Sequence, residues 1–165
     1  MKKLYLVRHA KSTREYPELT DFERPLNIRG RIDAPVMSEL LKKLGVAPDI
    51  IMSSPANRAL ATARLFAEHL HYPLNKIRVI EEIYEAWREN LVDVLKIIDS
   101  DKSSVILIGH NPGLQLLAEF LCDFPHENIP TCGVVGLELQ IEDWAEIKEK
   151  CGKLMFFEFP KKLKL

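Results

Sequence analysis

Short apolar runs alternate along the chain with longer stretches in which apolar residues recur every three or four positions. The first pattern is typical of buried strands and the second of amphipathic helices. We predict six strands, at 3–7, 49–53, 77–80, 104–109, 134–140 and 153–159. The runs at 3–7 and 104–109 are apolar almost throughout, as expected for interior strands covered on both faces. The alternation predicts an α/β fold with helices packed on a central sheet.

Four helices are predicted between or beside these strands, at 54–70, 90–99, 111–121 and 142–150. Ser54 is expected to cap the first helix, with Pro55 at its first helical position. Asn90 is expected to cap the second helix, and Pro112 opens the third directly after a strand. The fourth is expected to end before Gly152.

The stretch 27–45 also has helical character, but it contains a proline. Pro35 would disrupt the interior of one continuous helix, because proline has no N–H to donate and clashes with the preceding turn. Either the helix kinks at this point, or it starts near Asp33 and ends at Gly45. The sequence leaves both alternatives open.

Length and composition narrow the class of protein. The chain of 165 residues is expected to form one domain, 1–165, and its apolar runs are far shorter than a membrane span. A net charge of −1 offers no broad basic field for nucleic acid. The three cysteines form no C-x-x-C pair, and an odd count is awkward for a disulfide framework. A reducing, cytoplasmic location is the simplest interpretation.

Polar clusters follow three of the predicted strands. Arg8 and His9 end the first, Ser54 and a helix bearing Arg58 follow the second, and His110 follows the fourth. In an open α/β sheet, ligands collect outside the carboxyl ends of the strands. These arginines and histidines are therefore expected to converge on one point.

This set of side chains suits phosphate chemistry. Two guanidiniums offer bidentate hydrogen bonds to a phosphate and keep their charge at any working pH. A neutral imidazole nitrogen is a competent nucleophile toward phosphorus, and nearby guanidiniums hold the ring neutral. We therefore expect His9 to accept a phosphoryl group and pass it to water, with Arg8, Arg58 and His110 stabilising the group in transfer.

The segments "LYLVRHAKS", "SSPANRALATA" and "LIGHNPG" resemble the three signatures of the histidine phosphatase superfamily, branch 1, also called phosphoglycerate mutase-like. The short length, together with "DFERPLNIRGRIDAP", "IYEA" and "IPTCGVVGLEL", is most similar to the SixA-type phosphohistidine phosphatases. The resemblance implies a three-layer α/β/α sandwich with a mostly parallel central sheet.

The resemblance also implies roles for individual residues. His9 would be the phosphorylated nucleophile, Arg8 and Arg58 phosphate ligands, and His110 the fourth member of the pocket. No metal or other cofactor is implied. A metal set made of His9, His110 and Glu82 is disfavoured, because two guanidiniums in the same pocket would repel the cation.

The general acid is less well marked. The segment "IEEIYEAW" loosely resembles the place where larger relatives carry a catalytic glutamate, and this alignment selects Glu82, with Glu81 and Glu85 as rivals. A solvated carboxylate beside the site is the alternative for Glu82.

Three further side chains are candidates for the site. Arg24 and Arg29 lie in the loop after the nucleophile strand, where the family contacts substrate, so they are candidate substrate-binding residues. For both Arg24 and Arg29, a structural ion pair with Asp21 or Asp33 remains an alternative. Thr131 is a possible site-facing hydroxyl.

These observations predict a hydrolase, a metal-independent phosphatase that acts on phosphohistidine in proteins through a covalent phosphohistidine intermediate. The segment between the second and third signatures is too short to contain the insertions with which larger relatives cover a small sugar phosphate. An uncovered pocket favours a protein substrate. One alternative is a broad phosphatase for small phosphate esters, or a mutase. The other is a non-catalytic adaptor that binds phosphate or phosphohistidine. Neither nucleic acid nor membrane is an expected partner.

Overall fold

A computed structural model describes residues 1–163. The strands are β1 (Lys2–Arg8), β2 (Ile50–Ser53), β3 (Arg78–Val79), β4 (Ser104–Gly109), β5 (Val134–Leu139) and β6 (Gly152–Glu158). The helices are α1 (Ile28–Lys43), α2 (Asn57–His69), α3 (Arg88–Lys96), α4 (Gly113–Leu121) and α5 (Pro160–Leu163). All six predicted strands are confirmed, although β3 is only two residues long.

The strands form one sheet in the order β3-β2-β4-β1-β5-β6. Strands β3, β2, β4 and β1 run parallel to one another, whereas β5 runs antiparallel to both β1 and β6. The predicted mostly parallel central sheet is therefore confirmed. Because β2, β4 and β1 are adjacent and parallel, their carboxyl ends lie side by side at one edge of the sheet.

Successive residues of the central strands face opposite layers, as the pleat of a strand requires. Leu4 and Leu6 of β1 pack into a core that also contains side chains of α3 and α4. Tyr5 and Val7 pack into a second core, formed with α1 and α2. Burial on both faces explains why this strand is apolar almost throughout, and it gives the three-layer α/β/α sandwich that was predicted.

The helix α1 continues through its proline. It begins at Ile28, well before Pro35, so the alternative of a late start near Asp33 is wrong. The side chain of Asn27 caps the helix by accepting a hydrogen bond from the Gly30 N–H at 2.8 Å. Gly45 follows the helix with φ of +81°, a conformation that glycine adopts without strain.

Two predicted helix caps are wrong. The helix α2 begins at Asn57 rather than at Pro55, with Ala56 as its N-cap residue, and the Ser54 hydroxyl accepts from the Ala56 N–H and contacts His110. The helix α3 begins at Arg88, and Asn90 lies inside its first turn, where its side chain accepts from the Trp87 N–H.

The prediction of a helix at 142–150 is wrong. Only Trp144–Glu146 forms a short 3-10 turn. The N–H of Gln140 donates to the carbonyl of Cys151 at 2.7 Å, so the two ends of this segment must lie together and close the β5–β6 hairpin. Nine residues in a straight helix cannot return to their starting point. None of the helices described between residues 1 and 163 has the length and apolarity needed to cross a bilayer.

Candidate active site

Three neighbouring strands deliver the polar side chains to one cavity. His9 directly follows β1, His110 directly follows β4, and Arg58 lies in the first turn of α2, just after β2. The cavity has a volume of about 300 Å³. It is lined by Arg8, His9, Lys11, Ser12, Arg14, Arg24, Arg58, His110, Asn111 and Thr131. The structure therefore brings together the predicted site residues except Glu82 and Arg29, and it adds Lys11, Ser12, Arg14 and Asn111.

Hydrogen bonds fix the ring of His9 with a proton on Nδ1 and a lone pair on Nε2. Its Nδ1 lies 2.8 Å from the carbonyl oxygen of Ala10, and since a carbonyl only accepts, Nδ1 carries the proton. Arg58 Nε donates toward His9 Nε2 at 3.4 Å, as expected if that nitrogen has a lone pair. His9 is only 7% exposed. Burial, with the charge of Arg58 and other nearby arginines, lowers the pKa of His9 to about 4. The ring is neutral near pH 7.

His110 lies beside His9, with 5.1 Å between the ring centroids. Its Nε2 is 2.8 Å from the hydroxyl oxygen of Ser54, which orients the ring. Burial, followed by the charges of His9 and Arg58, lowers the pKa of His110 to about 3. Both imidazoles are therefore neutral at working pH, and the positive charge of the site resides on the guanidiniums.

Three of the four arginines that line the cavity are held by hydrogen bonds. Arg8 donates from Nη1 to the carbonyl of Ile129 at 3.0 Å. Arg24 donates from Nη1 to the hydroxyl of Ser12 at 2.7 Å and from Nη2 to the carboxylate of Asp21 at 2.9 Å. Arg58 donates from Nη2 to the same carboxylate at 3.0 Å. Arg24 thus lines the cavity, as expected of a substrate-binding candidate. It also forms the ion pair with Asp21 that the sequence offered as the alternative role.

Asp21 and Tyr84 support the site, although the sequence indicated Asp21 only as an ion-pair partner of an arginine and did not indicate Tyr84. The Tyr84 hydroxyl donates to the Asp21 carboxylate at 2.7 Å, and its ring packs edge-on against His110. Partial burial alone would raise the pKa of Asp21, but hydrogen bonds from Tyr84, Arg24 and Arg58 hold it well below its ordinary value. The spacing of Asp21 three residues before Arg24 was the one local signal, whereas Tyr84 had none.

The carboxylate predicted as general acid lies elsewhere. Glu82 lines a different groove, together with Ile80, Asn90, Asp93, Val94 and Ile97. The neighbouring Ile83 is buried in the core, and this directs the adjacent Glu82 away from the cavity. Neither Glu81 nor Glu85 lines the cavity either. The geometry therefore does not support Glu82 as a leaving-group acid.

The remaining candidates divide between the cavity and the surface. Thr131 lines the cavity, as predicted for a site-facing hydroxyl. Arg29 does not line it, and forms an ion pair with Asp33 at 3.4 Å. Within residues 1–163, no group of three or more His, Cys, Asp or Glu side chains is arranged to hold a metal ion.

Comparison with known proteins shows the family. Residues 4–89 match the model of the histidine phosphatase superfamily (branch 1), so the chain belongs to that superfamily. An uncharacterized chloroplastic protein of Arabidopsis thaliana is 28% identical over 153 residues, which cover 88% of this chain and 70% of the relative.

Solved structures of SixA proteins share the fold over nearly the whole chain. The protein histidine phosphatase SixA complexed with tungstate matches with a TM-score of 0.81 and 23% identity, covering 98% of this chain and 99% of the other. A SixA protein from Agrobacterium tumefaciens matches with a TM-score of 0.78 and 26% identity, covering 96% and 98%. The predicted SixA-type resemblance is confirmed at the level of fold. The family and the fold support assignment of the chain as a phosphatase.

Proposed function

We propose that this protein hydrolyses phosphohistidine on other proteins, with His9 as the nucleophile and without a metal. The observation that carries the proposal is the state of His9, which is a buried, neutral ring. Its Nδ1 donates to the Ala10 carbonyl, and its Nε2 has a lone pair and lies next to Arg58. A neutral ring nitrogen beside guanidiniums is what attack on a phosphoryl group requires.

In the first step, the lone pair of His9 Nε2 attacks phosphorus, and the bond between phosphorus and the substrate's ring nitrogen breaks. His9 then carries the phosphoryl group on Nε2 and a positive charge on its ring. The hydrogen bond from Nδ1 to the Ala10 carbonyl stabilises that charge. Arg8 and Arg58 stabilise the negative oxygens of the transferring group.

The leaving group needs no side-chain acid. A phosphohistidine ring that is protonated on its second nitrogen leaves as a neutral imidazole, because the proton is already in place. This fits a cavity whose lining contains no Asp or Glu. In the second step, water attacks the phosphorus of phospho-His9, inorganic phosphate leaves, one proton goes to solvent, and neutral His9 is restored.

The form of the cavity supports a protein substrate. Lys11 and Arg14 line it while remaining exposed on the surface, so the cavity opens outward. Between α2 and β4 the chain forms only short 3-10 turns, the two-residue β3 and the nine-residue α3, with no inserted layer above the cavity. A phosphorylated side chain presented by another protein can enter such an opening. The shared fold with SixA proteins supports the same choice.

The test is phosphate release in the presence of a chelator from two substrates, a phosphohistidine-bearing protein domain and a simple alkyl phosphate. We expect the wild type to prefer the phosphohistidine strongly. We expect His9→Ala to lose turnover by at least about a thousandfold. It should still bind inorganic phosphate, because the arginines remain.

Three results would count against the proposal. Equal or better hydrolysis of the alkyl phosphate would make the substrate a small ester and remove the argument from the open cavity. Retained turnover in His9→Ala would remove His9 from the nucleophile role. Phosphate affinity without turnover in the wild type would instead indicate a binding module.

A further inference from the structure

The cavity carries more positive charge than one phosphate requires. Five cationic side chains line it, while no Asp or Glu does: Arg8, Lys11, Arg14, Arg24 and Arg58. The chain as a whole has 23 basic and 24 acidic residues, so this concentration does not reflect composition. Asp21 contributes one negative charge through its ion pairs with Arg24 and Arg58, and a phosphate dianion contributes about two more. Two cations remain without a counterpart.

Lys11 and Arg14 are the two cations in excess. Arg24 and Arg58 both bind the Asp21 carboxylate, and Arg8 binds the Ile129 carbonyl. Lys11 and Arg14, in contrast, form neither a side-chain hydrogen bond nor an ion pair within the described part of the chain. Both are exposed at the mouth of the cavity, on the segment that follows His9.

The backbone that carries these two side chains is held firmly. The N–H of Asn27 donates to the carbonyl of Lys11 at 2.9 Å, and the N–H of Thr13 donates to the carbonyl of Pro25 at 2.9 Å. A Cβ atom on Gly30 would overlap the carbonyl oxygen of Lys11, so α1 packs directly on this segment. A rigid backbone lowers the entropic cost of ordering side chains around a ligand.

The cavity also has room beyond a phosphate. Its volume is about 300 Å³. A water molecule takes about 30 Å³ of liquid, so the five heavy atoms of a phosphate occupy at most about half of that space, and the ring of a phosphohistidine occupies part of the remainder. Excess charge and a fixed backbone therefore occur together on the segment that carries Lys11 and Arg14.

We propose that Lys11 and Arg14 form a second anion subsite, which binds a carboxylate side chain close to the phosphohistidine of the substrate protein. The inference rests on the proposed function and narrows its substrate class to phosphohistidine in an acidic surrounding. A single carboxylate between an ammonium and a guanidinium matches the charge that the phosphate leaves uncompensated.

The test compares two phosphohistidine peptides of equal length, one with Asp and Glu beside the phosphohistidine and one with Asn and Gln in their place. The wild type should hydrolyse the acidic peptide with a kcat/KM about tenfold higher, mainly through a lower KM. In the double variant Lys11→Met, Arg14→Gln, the preference should fall to about twofold or less. Both substitutions keep much of the aliphatic stem and remove the charge.

A matched control separates local binding from general attraction. Lys43→Met, Arg64→Gln removes the same two charges from exposed positions that do not line the cavity. This variant should keep the wild-type preference. No preference in the wild type, or an equal loss of preference in the control, would overturn the second subsite.

A binding measurement distinguishes failure of the subsite from failure of the proposed function. We would compare 3-phosphonopropionate with propylphosphonate by calorimetry, since only the first carries a carboxylate. Tighter binding of the first by the wild type, but not by Lys11→Met, Arg14→Gln, supports the subsite even if neither peptide is hydrolysed. Equal binding of the two compounds by the wild type contradicts it, whatever the turnover.

Discussion

Asp21 and Arg58 are joined by two hydrogen bonds. Arg58 Nη1 donates to the main-chain carbonyl of Asp21 at 2.6 Å, and Nη2 donates to its carboxylate at 3.0 Å. The other carboxylate oxygen accepts from Arg24. One carboxylate therefore sets the positions of two guanidiniums of the phosphate cavity, and Arg58 in turn contacts His9. We regard Asp21 as a positioning residue.

Asp21→Asn should lower kcat/KM about 10- to 100-fold, because small misplacements of groups that bind the reacting phosphate have effects of this size. The amide keeps the shape of the side chain but loses the charge and one acceptor. The measurement is steady-state kinetics on a phosphohistidine substrate, together with binding of inorganic phosphate, which should also weaken. Thermal unfolding checks that the variant is folded.

Tyr84→Phe is the matched control for this prediction. It removes one hydrogen bond from the same carboxylate but leaves both arginine contacts in place. Its loss of kcat/KM should be several-fold smaller than that of Asp21→Asn. If the two variants lose activity equally, the arginine contacts are not what Asp21 contributes.

Acid should destabilise the protein through His9. The pKa of the ring is about 4 in the folded protein and near 6.5 when unperturbed. Between these values the unfolded chain binds a proton that the folded protein does not, so stability falls as the pH drops from about 6.5 to 4. At about 1.4 kcal/mol per unit, the loss from this ring is about 3 kcal/mol at pH 4.

Urea unfolding at a series of pH values tests this prediction. Compared with His9→Gln, the wild type should lose about 3 kcal/mol more free energy of unfolding between pH 7 and pH 4. Parallel pH dependences of the two proteins would show that His9 is not buried in its neutral form.

Glu82→Gln should leave kcat/KM within about twofold of the wild type on both phosphohistidine and alkyl phosphate. The reason is that Glu82 lines a groove beside α3 rather than the cavity, and exposed substitutions away from a site have small effects. The same kinetics on Glu81→Gln provide the comparison. A selective loss of alkyl-phosphate hydrolysis in Glu82→Gln alone would restore its role as leaving-group acid.

Gly30→Ala should destabilise the protein by about 1–3 kcal/mol, as overpacking does, even though alanine is the better helix former. The added Cβ would meet the backbone of Lys11, so either α1 or the segment after His9 must move. We also expect lower kcat/KM, because that segment lines the cavity. Chemical denaturation and steady-state kinetics measure the two effects.

Gly45→Ala is the control for this substitution. A Cβ at Gly45 meets nothing within 4 Å, but the residue has φ of +81°, so alanine costs about 1–2 kcal/mol from backbone strain alone. It lies at the end of α1 remote from the cavity, and kcat/KM should not change. Unaltered kinetics in Gly30→Ala as well would show that the helix contact does not position the cavity segment.

The sequence predicted the strands well and the helix ends poorly. A buried strand is a run of adjacent apolar residues, so β1 and β4 are recognisable from local pattern alone. A helix start depends on which groups are free to cap it. The sequence pattern predicts Ser54 as a helix N-cap, but its hydroxyl contacts the ring of His110, a residue 56 positions away. The segment 142–150 has helical composition, yet the closure of the β5–β6 hairpin prevents the helix.

In the candidate site, too, the sequence predicted features that depend on local pattern and missed those that depend on contacts between distant segments. Arg8, His9, Arg58 and His110 were recognisable because each comes at or just after the end of a strand, and such positions share one edge of a parallel sheet. Glu82 was misplaced because its side-chain direction depends on the burial of Ile83. Asp21 and Tyr84 are 63 positions apart in sequence but 2.7 Å apart between hydrogen-bonded oxygens.

By itself, the sequence determined the α/β class and the identity of the residues that bring positive charge and imidazole to the strand ends. Hydrophobic periodicity and the order of residues at a strand end are local properties. Only the tertiary structure decided that β2, β4 and β1 are neighbours and that Asp21 holds two arginines. It also decided that Lys11 and Arg14 extend the cavity. These relationships depend on distances between segments remote in sequence, which arise only when the two cores pack against the sheet.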